Sequence, residues 1–289
     1  MKFKFNAHQL EETAQDALSL TPEGLTGALK HAKALGFSGM TLVPLLFHSD
    51  LTAPVAAEIA ATEGMKIDTC LFLPGERFKP HSKDGKRAAM DEVLRQGAFQ
   101  QLWKRAGVGG DTLWGPSGQG FMGEFNLDGH REWIHMLSLG GAHLNLRIAV
   151  EVLNQLEQST APKDIFNLTA DVIEQAATNG HVGFHYDTVH AWMRMERQSI
   201  EFFRKHKDKI FVVELANRDR RPFDQDFGID FMAHMAEIPN LHPDVQLGTE
   251  AFCHTVIAKL KIQHIYGTPF LGQFARERNA TYLRGKGWM

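Results

Sequence analysis

Eight short apolar runs, each separated from the next by a longer stretch with helical periodicity, constrain this chain more than any other feature. The runs are Phe3 to Ala7, Gly39 to Pro44, Ile67 to Pro74, Thr112 to Pro116, Leu146 to Asn154, Val182 to Thr188, Ile210 to Ala216 and Val245 to Phe252. Continuous apolar runs of this length read as strands buried on both faces, as in a parallel sheet covered by helices. The intervening segments carry helix punctuation. Thr21-Pro22-Glu23 supplies an N-cap, a first-turn proline and an early acid, and Gly36 stands where a helix C-terminus favours glycine. Pro54 to Gly64 repeats the design. Further helices are expected over Asp84 to Arg105, Asp128 to Leu139, Lys163 to Asn179, Gln198 to Lys207, Asp230 to Glu237 and Ala251 to Lys261.

Alternation of this kind leaves two architectures, a closed (β/α)8 TIM barrel or an open doubly wound sheet. The open sheet usually carries a glycine-rich phosphate loop after its first strand. Here the first run leads into Asn6-Ala7-His8-Gln9, so the barrel is expected, as a single domain over 1–289. The 289 residues suit one such barrel.

In a barrel, chemistry sits at the C-terminal strand ends and the loops that follow them. Four successive strands each place one carboxylate there: Glu151, Asp187, Glu214 and Glu250. An ionised carboxylate in a barrel interior is costly unless paired, and four converging ones repel. A divalent cation relieves this, and oxygen donors favour hard ions, Mg2+ or Mn2+, over Zn2+. The competing reading pairs each acid with an Arg or Lys, or turns it to solvent. His190 follows Asp187 by three residues, within reach of a metal-bound ligand or a substrate hydroxyl. Arg220 follows Glu214 by six, where its guanidinium could bind substrate oxygens. Its neighbours Arg218 and Arg221 read as a solvated charged loop. His185 shares a strand face with Asp187, and the spacing leaves it either supporting the site or bonded within the core. Trp114 and Phe47 lie near the ends of strands four and two, as pocket walls or as core.

These residues resemble the xylose isomerase-like TIM barrels, in particular the sugar isomerase/epimerase branch that contains the D-tagatose and D-psicose (allulose) 3-epimerases. The resemblance is densest from Leu146 to Phe252. Ala149-Val150-Glu151-Val152-Leu153-Asn154 with Glu157 looks like the family's strand-five segment, and His185-Tyr186-Asp187-Thr188-Val189-His190 like its strand-six motif. Gly248-Thr249-Glu250 looks like its last ligand, and the passage Lys33 to Gly39 like its approach to strand two. The acids recur at gaps of 36 (151 to 187), 27 (187 to 214) and 36 (214 to 250). The resemblance implies Glu151 and Glu250 as catalytic acid–bases and metal ligands, and Asp187 as a ligand. It implies Glu157, His190 and Arg220 as substrate-binding groups, with His185 and Trp114 as candidates beside them. The implied cofactor is Mn2+ or Mg2+, with Co2+ as a third choice, and the implied substrate a small sugar or sugar acid. The implied reaction removes and returns a proton through a metal-stabilised enediolate. One position departs: the family carries a histidine on strand seven where Glu214 stands, and Asn217 replaces an acid three residues later.

Three other functions bear on the same residues. A dehydratase of a cyclic or sugar keto compound shares the proton abstraction and differs in losing water. A sugar-binding barrel without catalysis would account for the altered strand-seven position. A DNA-repair nuclease of the endonuclease IV type needs more strand-end histidines and a basic surface. Lys plus Arg number 31 against 34 Asp plus Glu, a net charge of -3, which argues against a nucleic-acid partner. No apolar run approaches a membrane span, and Met1 to Phe5 lacks the apolar core of a signal peptide. Cys70 and Cys253 make no disulfide framework and are expected to be small buried residues in a reducing cytoplasm. A homo-oligomer is compatible with all of this.

Overall fold

The computed structural model describes residues 2–11, 19–71, 73, 83–116, 125–217, 220, 229–251 and 275–289. Eight parallel strands run β1 (Phe5–His8), β2 (Gly39–Leu42), β3 (Lys66–Thr69), β4 (Thr112–Pro116), β5 (Arg147–Glu151), β6 (Val182–Asp187), β7 (Ile210–Ala216) and β8 (Gln246–Glu250). They form one sheet in the order β3-β2-β1-β8-β7-β6-β5-β4. Its two ends meet through a bridge between Cys70 and Trp114, where the Leu71 N–H donates to the Trp114 carbonyl at 2.5 Å. The result is the (β/α)8 barrel expected from the apolar alternation.

Helices α1 (Pro22–Ala34), α2 (Ala53–Glu63), α3 (Lys83–Arg105), α4 (Leu127–Leu144), α5 (Ile165–Ala176), α6 (Thr188–Met195), α7 (Gln198–Lys205), α8 (Phe231–Glu237) and α9 (Ala275–Gly285) follow along the chain. The Thr21 hydroxyl accepts from the Gly24 N–H at 3.1 Å to cap α1. Gly64 closes α2 in the left-handed region at φ 64°, which glycine adopts without steric cost. The helix expected over Gln198 to Lys207 stops at Lys205, because Lys207–Lys209 tightens into a 3-10 turn that feeds β7. The helix expected over Ala251 to Lys261 lies almost entirely outside the described residues, as does Cys253.

Strand alternation gives each strand one face toward the helices and one toward the barrel axis. The outward faces and the helices share a large core that includes Ile67, Leu113, Ile148, Phe184, Val213 and Leu247. The axis holds a smaller cluster of Val43, Cys70, Trp114, Ala149, Phe211 and Val212. Below it, the Asp68 carboxylate accepts from Asn6 at 3.0 Å, Gln100 at 2.8 Å and the Gly110 N–H at 2.8 Å, tying β1, α3 and the approach to β4 together. Polar groups therefore stand at both ends of an apolar plug. The carboxylates gather at the C-terminal end.

Candidate active site

Register decides which acids meet. Glu151 pairs with His185 across β5 and β6, Asp187 with Glu214 across β6 and β7, and Ala216 with Glu250 across β7 and β8. Partners in a parallel pair point to the same side, so the ladder climbs stepwise around the half of the barrel mouth formed by β5 to β8. All four carboxylates are buried, Glu214 at 1% exposure and Asp187 at 1%.

Arg220 lies at their centre. Its guanidinium donates to Asp187 at 2.5 Å and to Glu250, and its other terminal nitrogen lies 2.7 Å from His190 Nε2. Its backbone takes φ 54°, a left-handed conformation that a residue with a Cβ adopts at a cost of roughly 1–2 kcal/mol. The neighbouring Arg218 and Arg221, expected to be solvated, lie outside the described residues.

His190 is fixed from behind. Its Nδ1 accepts the Asn154 N–H at 3.1 Å, which leaves Nε2 facing Glu151 Oε1 at 3.1 Å. The Asn154 side chain also donates to Glu157 at 3.0 Å, so one residue orients two of the groups expected to bind substrate. Asp187 has a second duty: its Oδ1 caps α6 by accepting from the Val189 N–H at 2.7 Å.

Burial and mutual repulsion set the protonation states. Burial would raise Glu151, but His185 and His190 beside it hold its carboxyl well below the usual range. Burial pushes Glu214 well up, helped by Asp187 and Glu151. It also pushes Glu250 well up in spite of Arg220. Glu157 is raised by burial too. His190 is raised, because Asp187 and Glu157 outweigh its burial. Among the described residues, Arg220 is the guanidinium that faces Glu151, Glu157, Glu214 and Glu250.

Several donors could hold a cation. Ligand atoms of Glu151, His185 and Glu214 lie within 4.8 Å of one another, as do those of His8, Glu214 and Glu250, and those of Glu151, Asp187 and His190. Two buried atoms, His185 Nδ1 and Glu214 Oε1, have no hydrogen-bond partner among the described residues. An oxygen-rich set with imidazole nitrogen at its edge fits a hard or borderline divalent ion.

The remaining expectations divide. Glu214 faces the axis, where its Oε2 lies 2.8 Å from His185 Nε2. His185 is thus bonded to the acid ladder itself. Trp114 lies one inward step below Glu151, fully buried, its indole N–H donating to Gln246 and its ring edge-on to His185 at a centroid distance of 5.6 Å. It forms the floor beneath the acids. Phe47 packs with the core: its ring lies against Phe99 and Trp103 of α3, at 6.0 and 6.4 Å. Cys70 is buried and free, and burial together with Glu214 pushes its thiol well up.

Three residues escaped the sequence reading. His8 ends β1 with Nε2 3.9 Å from Glu250, and burial pulls its pKa down to about 3. Alternation with Asn6 was its one signal. Glu11 accepts from the Thr249 hydroxyl at 2.9 Å and the Asn279 amide at 2.7 Å, and burial pushes its carboxyl up to about 8. Asn154 was visible only as part of the strand-five segment.

No family model and no curated protein matches the sequence. Its fold does match solved structures. D-allulose 3-epimerase from Methylomonas sp., in complex with D-allulose, aligns over 98% of this chain and 97% of its own at TM-score 0.76 and 13% identity. D-psicose 3-epimerase from Clostridium cellulolyticum H10, with D-tagatose, aligns over 99% and 98% at TM-score 0.77 and 15% identity. The 3-keto-D-glucoside 4-epimerase from E. coli, in its apo form, aligns over 98% and 100% at TM-score 0.68 and 16% identity. The chain has the fold of the xylose isomerase-like TIM barrels.

Proposed function

We propose that this protein is a divalent-cation-dependent isomerase or epimerase of a small ketose or sugar acid. The observation that carries this reading is the ladder of buried carboxylates from β5 to β8, closed over by Arg220 and His190 at the C-terminal end of the barrel. That the aligned solved structures include sugar epimerases supports it.

Glu151, Asp187, Glu214 and Glu250 would hold the cation, Mn2+ or Mg2+ with Co2+ as a third choice. When bound, it supplies charge stabilisation for the enediolate that forms next to a carbonyl. Glu151, kept ionised by its two histidine neighbours, takes the proton from carbon. Glu250, three strands away and pushed toward its protonated form by burial, returns one. Arg220, His190 and Glu157 bind carbonyl and hydroxyl oxygens, and Asn154 fixes the last two of these. Trp114 excludes water from below.

The test is proton NMR of candidate ketoses in deuterated water with Mn2+ present. Exchange at the carbon next to the carbonyl, abolished by EDTA, is the expected result. Exchange accompanied by loss of water would replace isomerisation with dehydration. Binding of a sugar with no exchange in any ketose tried would leave a non-catalytic barrel.

A further inference from the structure

The family resembled in sequence supplies an imidazole from strand seven, and this chain has Glu214 there. Two imidazoles nevertheless lie beside Glu214. His8 comes from β1 and His185 from β6. His185 stands in direct register with Glu151 and touches Glu214, so it lies against two of the expected ligands at once.

The spacing suits coordination. His185 Nε2 and Glu214 Oε2 are 2.8 Å apart. Two donors bound at about 2.1 Å to one ion, at right angles, stand about 3 Å apart. Glu214 also keeps one buried oxygen, Oε1, without a hydrogen-bond partner among the described residues, on the acid that His185 Nε2 already touches. Buried polar atoms in that condition are uncommon and mark a missing partner. The Trp114 ring, edge-on to the imidazole at 5.6 Å, limits how far it can turn away. Asp187 and Glu250, by contrast, are already engaged by Arg220.

We infer that His185 supplies the nitrogen ligand that the strand-seven position lacks, binding the cation beside Glu151 and Glu214. The nitrogen has moved one strand back and one register step deeper in the barrel. This rests on the metal-dependent reading above. It also refines that reading, since a nitrogen donor shifts preference from Mg2+ toward Mn2+ and Co2+.

The test is pulsed electron paramagnetic resonance of the Mn2+-loaded protein, which detects a directly bonded 14N nucleus without reference to turnover. The wild type is expected to show one such coupling. His185→Gln should abolish it and weaken Mn2+ binding at least about 10-fold. His8→Gln and His190→Gln should keep it. His185→Asn serves as the second variant should the first fail to fold, with far-UV circular dichroism as the check on both. Persistence of the coupling in either folded His185 variant overturns the inference. So does a wild type that binds Mn2+ with no nitrogen coupling, a measurement that needs no variant. A wild type that binds no divalent ion at all refutes the metal-dependent reading and this inference together.

Discussion

Arg220→Met removes a guanidinium that Asp187 and Glu250 share. Both acids are almost wholly buried, so neither gains water in its place. Breaking a buried ion pair by deleting one partner costs about 3–5 kcal/mol. The lower end is expected here, because a carboxyl left behind can take up a proton instead of standing charged. In a chain of this size a loss of about 3 kcal/mol lowers the melting temperature by roughly 6 °C. The sign with pH follows from the same protons. Without Arg220 the folded pKa of Glu250, already raised by burial, lies higher still above the unfolded value, so the native state binds more protons. The variant in EDTA should therefore lose stability as pH rises from 6 to 8. Divalent ion acts in the opposite direction. At a hundred times its Kd it stabilises by about 2.7 kcal/mol, and the increment should be larger for the variant, in which Asp187 and Glu250 no longer face a competing cation. The assay is thermal unfolding by circular dichroism of both proteins, in EDTA and across a Mn2+ titration. A variant that melts within about 2 °C of the wild type in EDTA, or equal Mn2+ increments in the two, would refute the account of Arg220 as the neutralising cation.

Four further outcomes are expected. Glu151→Gln and Glu250→Gln should each lower ketose proton exchange by about 10²–10⁴-fold, read by NMR in deuterated water. Glu214→His should move metal preference toward Co2+ and Zn2+ in competitive titration; unchanged selectivity would mean that Glu214 is not a ligand. Gly248→Ala would place a Cβ 2.6 Å from the Trp114 ring, so it should cost about 1–3 kcal/mol by denaturant titration. Burial lifts the Glu11 carboxyl from 4.5 to about 8, so the native state holds a proton that the unfolded state has released, and the stabilisation present at low pH fades as pH rises through about 8. Glu11→Gln should flatten that part of the stability profile between pH 5 and 9, and an unchanged slope counts against it.

The barrel was legible because its strands are buried on both faces and so read as unbroken apolar runs. Their ends were less so: the run Leu146 to Asn154 yields a strand only over Arg147–Glu151, since Val152 and Leu153 stay buried in the loop that carries Asn154. Helix α6 went unread because it begins at Thr188, directly after a strand, with no turn residue to announce it. Its cap is Asp187, a residue already claimed by the acid ladder. The four acids were visible as charges interrupting apolar strands. His8, Glu11 and Asn154 were not, because their roles rest on partners far along the chain or on one turn of backbone. Phe47 shows the limit of reading a pocket from strand ends, for a ring just past a strand can turn outward onto a helix as easily as over the mouth.

The grip of Glu11 on Thr249 and Asn279 also has a consequence in time. Asn279 is made 268 residues after Glu11. A ribosome adding roughly 5–20 residues per second keeps the two apart for on the order of tens of seconds. For most of that interval, from the completion of β2 until β8 is made, β1 has β2 on one side and an open edge on the other. A carboxyl that burial drives to about 8 has no burial yet, so the nascent segment carries Glu11 as an ordinary hydrated anion. Closing the barrel thus coincides with taking up a proton, and α9, made after β8, supplies the Asn279 amide that completes the pocket around it.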